Sequence, residues 1–523
     1  MRDDEENFSV KLLTDITQYS EAQSEFSLSR LWDLVDGNKE QLNIAHEAVD
    51  RHADSDRIAV RVAHADGSDE DVSFLELSER SSQVANWLVS IGVERGDRVG
   101  VMVDPSMAFY ATIFGIIKTG AIAVPLFTLF GIDGLRARAD DCQLRVLVVA
   151  PEKEDVARQL KGVRIEVADQ QYLLNLKNFS TTFKVKSHSN DNAIYQYTSG
   201  TTRAIPTAVK HSHLSVVYLM IATLYATGIR PGDKFFCPSS TAWGHGLWHG
   251  TLGPLTLGIT TGTISGKFDP ERFAKAVSDY GVTALSAAPT HFRMLKNSGV
   301  AANYNYHIGK LSYTGEPLDS STAEFIEDIF GTIPRSMYGT TEVGTVLVNF
   351  PGADDYSVQR GSLGKPIPGT QVDVHNSSGE SCEPGETGEI VVRRGSAWVS
   401  TKDKGSKDAR GYFFYGGRSD DVIISAGWTI SAIEIEDALL KHEAVVEVAV
   451  VGVPDQMRGL IPKAFLVSTA PESDALIQEL QDFAKSRLSL HEYPRVIEFV
   501  EALPKTPAGK LNRKILRDRE AAV

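Results

Sequence analysis

The sequence predicts an α/β protein of at least two domains, and three observations carry this prediction. From Arg57 onward, short apolar runs alternate with amphipathic stretches at helical spacing, as in parallel sheets that are covered by helices. The length of 523 residues exceeds what one hydrophobic core normally supports. The composition, 42% hydrophobic and 23% charged, is ordinary for a globular protein.

The predicted elements begin after a polar, helical leading segment that covers residues 1 to about 55. Strands are predicted at residues 58–62, at the end of residues 92–101 and at residues 146–149. Helices are predicted to open at Phe74, to run over residues 108–118 up to Gly120, and to begin again at Leu214. The apolar run at residues 216–226 is shorter than the roughly 18–20 residues of a membrane span, so we expect a buried helix there.

The second half of the chain changes in character. Residues 151–190 are charged and predict a small strand–helix insert, while short strands and turns from about Gly361 predict a small β subdomain. A compact α/β segment with a lysine-bearing tail follows Arg418. We therefore predict a large N-terminal domain, residues 1–418, built of several subdomains with helix-covered sheets, and a small C-terminal α+β domain, residues 419–523.

Net charge and cysteine usage argue against several classes of function. The formal net charge is −15, from 53 Lys and Arg against 68 Asp and Glu, which disfavours general binding of nucleic acid or anionic membranes. The cysteines Cys142, Cys237 and Cys382 are far apart and odd in number, so they fit neither a disulfide framework nor a zinc site. The acidic N-terminus lacks the order of a signal peptide. We expect a cytoplasmic protein that does not insert into a membrane.

The strongest single signal is the hydroxyl-rich stretch at residues 197–202, Tyr-Thr-Ser-Gly-Thr-Thr. It follows a predicted buried strand at residues 193–195, and a predicted helix starts at Leu214. A strand, such a turn and a helix can hold phosphate, because the glycine allows close approach and the hydroxyl and amide groups donate to an anion. Alone, the stretch fits a polar surface turn better than a phosphate site, since Ser/Thr/Gly clusters usually form such turns.

Four further stretches follow in order: residues 315–317 (Gly-Glu-Pro), 338–342 (Tyr-Gly-Thr-Thr-Glu), 401–421 (with Thr-Lys-Asp at its start and Arg418, Asp420 and Asp421 at its end) and 504–510 (Pro-Lys-Thr-Pro-Ala-Gly-Lys). Together the five stretches resemble the motifs of the AMP-forming acyl-adenylate superfamily, which includes acyl-CoA synthetases, adenylation domains and beetle-type luciferases. The resemblance extends from about residue 40 to Arg517. The number of motifs in the right order makes it specific.

The resemblance implies a site for ATP and three catalytic residues. The implied nucleotide-binding residues are Thr198, Ser199, Gly200, Thr201 and Thr202 at the phosphates, Gly315, Glu316, Pro317, Tyr338, Gly339 and Thr340 at the adenine, and Asp403 with Arg418 at the ribose. The implied catalytic residues are Lys510, Thr341 and Glu342, and Glu342 would hold Mg²⁺. The chemistry is reasonable, since attack of a carboxylate on ATP joins two anions whose charge a metal and a cation must neutralise.

The resemblance also implies a mobile C-terminal domain. Asp420 matches the hinge position, where a change of backbone torsion would swing that domain between two poses. In the first pose Lys510 would close the adenylation site. In the second pose Ser425, Ala426 and Gly427 would line the channel for the thiol of coenzyme A.

Two departures from the superfamily pattern concern charge and backbone. After the phosphate loop, Arg203 stands at the expected glycine and Thr207 at the usual lysine, so Arg203 or Lys210 is expected to supply the lost positive charge. In the ribose motif, Lys402 stands where glycine is usual, although the distance from Asp403 to the following glycine still fits.

The acyl pocket is predicted around Trp243, Gly244, His245, Gly246 and Gly339. Trp243 matches the aromatic gate of the superfamily, and Gly339 stands where acetate-specific relatives carry a bulky Trp. An open floor favours a medium-chain, aromatic or alicyclic acid, since burial of each further CH₂ contributes about 0.8 kcal/mol. His245 and His249 lie four residues apart, as metal ligands on a helix do, but no third ligand is evident, so we expect them to line or support the pocket.

The resemblance therefore predicts an acid–thiol ligase that uses ATP, Mg²⁺ and coenzyme A, with a small carboxylic acid as substrate and a homodimer as one assembly. Two alternatives stay open. The chain could be a stand-alone adenylation enzyme that loads a carrier protein, although the segment at residues 243–250 contains no acid for an amino-acid substrate. It could also be a nucleotide-binding homologue that has lost catalysis, which the altered phosphate loop would allow.

Overall fold

The structure is a computed structural model, and it describes residues 11–54, 56–197, 207–340, 343–418, 423–425, 428–455, 459–488, 493–506 and 509–521. In this part of the chain the α-helices are α1 (Tyr19–Glu25), α2 (Ile44–Ala48), α3 (Phe74–Ser90), α4 (Met107–Thr119), α5 (Ile132–Cys142), α6 (Glu154–Ala157), α7 (Gln170–Leu176), α8 (Ser215–Tyr225), α9 (Gly253–Thr256), α10 (Pro270–Asp279), α11 (Pro289–Ser298), α12 (Ser320–Phe330), α13 (Ala432–Leu439), α14 (Asp474–Arg487) and α15 (Arg513–Ala521). A π-helix covers His245–Leu252, and short 3₁₀ helices lie at Leu13–Asp15, Leu28–Leu34, Asp50–His52, Pro151–Lys153 and Val300–Asn303.

The strands are β1 (Ile58–Ala63), β2 (Asp69–Ser73), β3 (Arg98–Met102), β4 (Ile122–Pro125), β5 (Val146–Val149), β6 (Arg164–Val167), β7 (Asn192–Gln196), β8 (Val209–Ser212), β9 (Phe235–Phe236), β10 (Thr261–Ile264), β11 (Ala284–Ala287), β12 (Lys310–Tyr313), β13 (Arg335–Thr340), β14 (Gly344–Val348), β15 (Ser362–Pro366), β16 (Val372–His375), β17 (Thr387–Arg394), β18 (Ala397–Lys407), β19 (Phe413–Arg418), β20 (Ile423–Ser425), β21 (Trp428–Ile430), β22 (Val445–Asp455), β23 (Gly459–Ser468) and β24 (Val496–Phe499).

The first sheet has the strand order β6-β5-β3-β4-β7-β8, and all its pairs are parallel except β7 with β8. Helix α4 packs on this sheet through β3 and β4, and helix α3 packs on α4. The hydroxyls of Ser73 and Ser106 cap their N-termini, and Gly120 ends α4 in the left-handed conformation, with φ +80°. Nearly every side chain of α4 is buried, as its apolar sequence predicts.

The second sheet joins the predicted β subdomain to the parallel strands in one surface. In the described residues its order is β16-β17-β18-β19-β15-β14-β13-β12-β11-β9-β10-β1-β2. In this order, the neighbouring strands from β13 to β1 pair in parallel, and the neighbouring strands from β16 to β13 pair antiparallel. The sequence pattern predicted the antiparallel strands but not their continuity with the parallel ones, because both kinds of strand alternate apolar and polar residues over short runs.

A third sheet forms the C-terminal part, with the order β21-β20-β23-β22 and β24 paired to β23. Strand β19, which ends at Arg418, belongs to the second sheet, and β20, which begins at Ile423, belongs to the third. Helices α13 and α14 pack on one face of this sheet through Ile435, Leu439 and Leu480. The C-terminal part therefore has its own hydrophobic core.

The leading segment packs on the main body. Leu13, Ile16 and Leu31 are buried in the largest core cluster, and the backbone N–H of Ser20 donates to the Asp355 carboxylate at 2.9 Å. The run predicted to be a buried helix is α8, whose side chains are mostly buried. Within the described residues, the structure contains no helix that is both long and apolar enough to cross a membrane.

Candidate active site

The predicted phosphate loop lies between two antiparallel strands rather than before a helix. Strand β8 intervenes between the loop and α8, so the expected order of strand, turn and helix is wrong. The sequence signal was weak, because β8 has only four residues and three of them, Lys210, His211 and Ser212, have polar side chains. Thr198, Ser199, Gly200, Thr201 and Thr202 lie outside the described residues, so their roles stay predictions.

One carboxylate holds both flanks of this loop. The Asp141 Oδ2 atom accepts from the Tyr197 hydroxyl at 2.7 Å and from the Ala208 backbone N–H at 3.1 Å. Burial, together with this hydrogen bond, raises the pKa of Tyr197. No local pattern in the sequence indicates Asp141, which lies on α5, some sixty residues before the loop. The contact fixes the spacing of the loop ends.

The lysine after the loop, Lys210, is one of the two residues expected to supply the missing charge. Lys210 is exposed on β8, and its Nζ atom lies 5.3 Å from the centroid of the Tyr195 ring. Thr207 is exposed as well, and Arg203 lies outside the described residues. The suggestion that Lys210 or Arg203 supplies the missing charge stays a prediction.

Lys510 reaches from the C-terminal part into the larger domain. Its Nζ atom lies 4.8 Å from the centroid of the Trp243 ring, a cation–π distance. Its Cε atom would lie 3.2 Å from a Cβ atom built on Gly315. Burial lowers the pKa of Lys510, while the carboxylates of Glu316 and Asp403 act to raise it. The structure thus brings together three residues that the sequence placed in three separate motifs.

Gly315 is required by the close approach of this lysine and the tryptophan. Its φ is +101°, and an added Cβ would lie 2.9 Å from Cη2 of Trp243. The next residue, Glu316, turns its carboxylate away to Arg293, whose Nη2 lies 2.6 Å from Oε1, and to the backbone N–H of Thr290 at 2.7 Å. Arg293 was not singled out from the sequence, because its role depends on α11 packing beside the end of β12.

The predicted ribose residue, Asp403, is buried and lies beside the predicted adenine-stacking residue. The Tyr338 hydroxyl donates to Asp403 Oδ2 at 2.7 Å. Burial, followed by the charge of Asp403, raises the pKa of Tyr338. Asp403 is also the Cα partner of Arg418 across β18 and β19. The Arg418 backbone is therefore adjacent to Asp403, whereas its side chain is outside the description.

The departure at Lys402 has a backbone consequence. Lys402 has φ +63°, in the left-handed region that glycine adopts most readily. Its backbone N–H donates to the Ser400 hydroxyl at 2.9 Å, and the N–H of Asp403 donates to Thr401 Oγ1 at 3.2 Å. The lysine of this chain thus occupies a conformation that favours glycine, the residue that is usual at this position of the superfamily pattern.

Two of the predicted acyl-pocket residues, His245 and Gly246, are the first residues of the π-helix. The His245 ring lies 5.3 Å from the ring of Trp243 and 6.2 Å from that of His249. Hydrogen bonds to Ser239 at 2.9 Å and Ser286 at 2.8 Å hold both nitrogens of His245. Burial lowers the pKa of His245 well below its ordinary value, so it is neutral at pH 7.

His249 is also neutral at pH 7, because burial lowers its pKa to about 4. No group of three or more potential ligands capable of holding a metal ion is found in the described part of the chain. The interpretation of the two histidines as residues that line or support the pocket stays a prediction.

The glycines near this helix differ in what surrounds them. A Cβ on Gly244 would make only ordinary contact, 3.5 Å from Gln196 Oε1, whereas one on Gly246 would lie 2.2 Å from the carbonyl oxygen of Ser240. A Cβ on Gly339 would lie 2.1 Å from the carbonyl oxygen of Gly344, since β13 and β14 form a tight hairpin there. Packing of the backbone accounts for Gly246 and Gly339. Their roles in the pocket stay predictions.

The remaining predicted residues divide by whether the structure describes them. Pro317 lines a crevice between the two parts of the chain, together with Gly416, Ile433 and Arg513. Thr340 follows Tyr338 and Gly339 at the end of β13, and Ser425 is buried at the end of β20. Thr341, Glu342, Asp420, Ala426 and Gly427 lie outside the described residues, so the metal, hinge and thiol-channel roles stay predictions.

Comparison with known proteins places these features in a family. The family described as AMP-binding enzyme matches residues 46–399, and its C-terminal domain matches residues 434–510. The chain is 31% identical to the acetyl-coenzyme A synthetase of Bacillus subtilis, over 91% of this chain and 90% of that protein. It is likewise 31% identical to the human mitochondrial acyl-coenzyme A synthetase ACSM2B, over 96% of each chain.

A solved structure agrees with both the sequence matches and the fold. The anthranilate CoA ligase AuaEII, in complex with anthranoyl-AMP, superposes with a TM-score of 0.84 at 26% identity, covering 95% of this chain and 100% of that one. The match extends over the parallel sheets, the antiparallel strands and the C-terminal part. The chain therefore belongs to the family of AMP-binding enzymes.

Proposed function

We propose that this chain activates a medium-chain, aromatic or alicyclic carboxylic acid as its adenylate, and then transfers the acyl group to coenzyme A. The general reaction is that of an AMP-forming acid–thiol ligase, which uses ATP and releases AMP and pyrophosphate. It is supported by the family match and by the acyl-coenzyme A synthetases to which the chain is similar. The observation that carries the residue assignments is the insertion of Lys510 beside Trp243 and Gly315.

The first step needs a cation where two anions meet. Lys510 is buried and close to Glu316 and Asp403, whose carboxylates favour its charged form. We assign to its Nζ the bridging of the acid's carboxylate and the α-phosphate of ATP, because an oriented charge in a dry site stabilises developing charge strongly. Removal of the lysine should therefore affect the adenylation step.

The nucleotide is assigned to the pair of Tyr338 and Asp403. The Tyr338 ring offers a flat face to the adenine. Asp403 can accept from the ribose hydroxyls while the Tyr338 hydroxyl orients its carboxylate from 2.7 Å. Glu342 is the proposed ligand of Mg²⁺, which would neutralise phosphate charge.

The size of the acid is proposed from Trp243 and its neighbours. Relatives of this chain carry names that specify acids as different as acetate and anthranilate. A Cβ on Gly244 would still have ordinary contacts, so the proposal depends on Trp243 and Gly244. Gly339 stands where acetate-specific relatives carry Trp, but the backbone of Gly344 accounts for the glycine there. Neutral His245, with both its nitrogens bonded to serines, supplies no charge for a second ionised group on the acid. These features favour an uncharged acyl group larger than acetyl.

A panel of carboxylic acids tests this proposal. Formation of AMP and pyrophosphate would be measured for acetate, hexanoate, benzoate and cyclohexanecarboxylate, each with and without coenzyme A. AMP formation that requires coenzyme A and favours the larger acids is expected. Exchange of pyrophosphate into ATP without turnover of coenzyme A would instead indicate loading of a carrier protein, and absence of exchange with every acid would indicate loss of catalysis.

Three further assignments belong to the same proposal. We propose that the protein acts in the cytoplasm, that Mg²⁺ accompanies ATP, and that a homodimer is the assembly to test first. Sedimentation of the purified chain, and pyrophosphate release after addition of a chelator with and without restored Mg²⁺, would check the last two.

A further inference from the structure

A contact between the two parts of the chain accompanies the insertion of Lys510. The Asp437 Oδ1 atom, on α13, accepts from the backbone N–H of Ser320 at 2.9 Å and from its hydroxyl at 3.1 Å. Ser320 is the first residue of α12, which follows the predicted adenine segment by three residues. The Lys441 Nζ atom lies 2.9 Å from the other Asp437 oxygen and helps to orient the carboxylate.

The first turn of a helix offers backbone N–H groups that lack partners within the helix. In α12 the cap residue, Asp319, already accepts from the N–H of Thr322 at 2.9 Å. Asp437 satisfies another of these groups from the other part of the chain. A carboxylate is favourable at this position because the helix dipole places partial positive charge there.

An ion pair couples Asp437 to the loop that carries Lys510. Glu436, the residue before Asp437, accepts from Arg513 Nη2 at 2.6 Å and from its Nε at 3.2 Å. Arg513 starts α15, three residues after Lys510. The side chains of both partners are mostly buried, and a bidentate pair of this kind fixes relative orientation.

We infer that the contact between Asp437 and Ser320 is a latch that stabilises the pose in which Lys510 reaches the adenylation site. This inference rests on the proposed function with its two half-reactions. Asp437 is a positioning residue, since it acts through the placement of Lys510. When the C-terminal part leaves this pose the contact must break, so its strength sets the fraction of molecules competent for adenylation.

The test uses variants that remove one side of the latch each. Asp437→Ala removes the acceptor. Ser320→Pro removes both donors at a first-turn position that tolerates proline, and the preceding residue, Asp319, already has the extended conformation that proline requires, with φ −73° and ψ 153°. Glu443→Ala, at an exposed acid of the same domain, is the matched control.

Both half-reactions would be measured separately in the full-length chain. Adenylation, followed by exchange of pyrophosphate into ATP, should fall about tenfold in Asp437→Ala and in Ser320→Pro, as for loss of a hydrogen bond to a charged group. Conversion of supplied acyl-adenylate and coenzyme A should not fall. The double variant should lose no more than either single variant, because both act on one contact. Equal loss of both half-reactions, or additive losses in the double variant, would overturn the inference.

Hydrogen exchange provides a readout that does not depend on activity. The amide of Ser320 should exchange faster in Asp437→Ala than in the unsubstituted chain, while Glu443→Ala leaves it unchanged. Unchanged protection in Asp437→Ala would overturn the latch whatever the enzyme does. Absence of pyrophosphate exchange in the unsubstituted chain with every acid would instead overturn the proposed function, so the two failures are distinguishable.

Discussion

Replacing Lys510 with alanine should separate the two half-reactions. The Nζ atom is buried, lies 4.8 Å from the Trp243 ring, and is the only described cation that the structure brings to both Trp243 and Gly315. Loss of one oriented, desolvated charge donor typically costs about 10²–10³-fold in rate, or roughly 3–4 kcal/mol. We therefore expect adenylation to fall by about that factor.

Stopped single-turnover measurements of both steps give the assay. Formation of acyl-adenylate from ATP and acid should fall, whereas thioester formation from supplied acyl-adenylate should stay within about threefold, since the lysine is not assigned to that step. Lys505→Ala is the control, because Lys505 lies five residues earlier and pairs with Glu447 at 2.8 Å. Equal loss of both steps in Lys510→Ala, or a comparable loss in Lys505→Ala, would refute the assignment.

Three further predictions follow from the geometry. Tyr338→Phe removes the hydroxyl that donates to buried Asp403, and it should raise the KM for ATP about tenfold with little change in the KM for the acid. A larger effect on the KM for the acid would contradict the assignment of Asp403 to the ribose. Lys402→Gly should raise the free energy of unfolding by about 1 kcal/mol, measured as a higher urea midpoint, because Lys402 has φ +63°. Lys402→Ala keeps a Cβ and should give no gain. Equal midpoints for the two variants would exclude backbone strain at this position. The free energy of unfolding should fall as the pH is lowered from 6.5 toward 4, by up to about 1.4 kcal/mol per pH unit per histidine, because the histidines take up protons in the unfolded chain but stay neutral when buried. Urea midpoints at pH 7 and pH 5 would check this. Equal midpoints would contradict it. The histidines whose pKa burial lowers to about 4 are His52, His211, His213, His249 and His291.

The sequence predicted the architecture because its signals are local. Residues 146–149 are four consecutive buried apolar residues and form β5, and Gly120 ends α4 as its conformational freedom predicts. Strand β8 was missed because a strand of four residues, three of them with polar side chains, carries little periodicity. Its presence means that the phosphate-loop stretch is followed along the chain by a strand paired with β7, and not directly by a helix.

The candidate site was predictable where a motif carried it and unpredictable where packing did. Motifs in the sequence identified four residues that the structure brings together in two pairs. Lys510 lies beside Trp243, and Tyr338 lies beside Asp403. Asp141 and Asp437 were not predicted from the sequence. Asp141 contacts Ala208, 67 positions away, and Asp437 contacts Ser320, 117 positions away, so both contacts depend on how helices pack. Likewise, Gly246 was predicted to lie at the acyl pocket, whereas the structure places neighbouring backbone where its Cβ would lie.

The pairing of Asp403 with Arg418 has a consequence for how nucleotide occupancy reaches the C-terminal part. These residues face each other on adjacent strands, so their Cα atoms are separated by about 5 Å. The carboxylate proposed to hold the sugar thus belongs to the last residue pair of β18 with β19. Arg418, its partner in that pair, precedes the proposed pivot at Asp420 by two residues. A rotation of the C-terminal part about that pivot would act on the sugar through strands β18 and β19, and not through the hydrophobic core of either part of the chain.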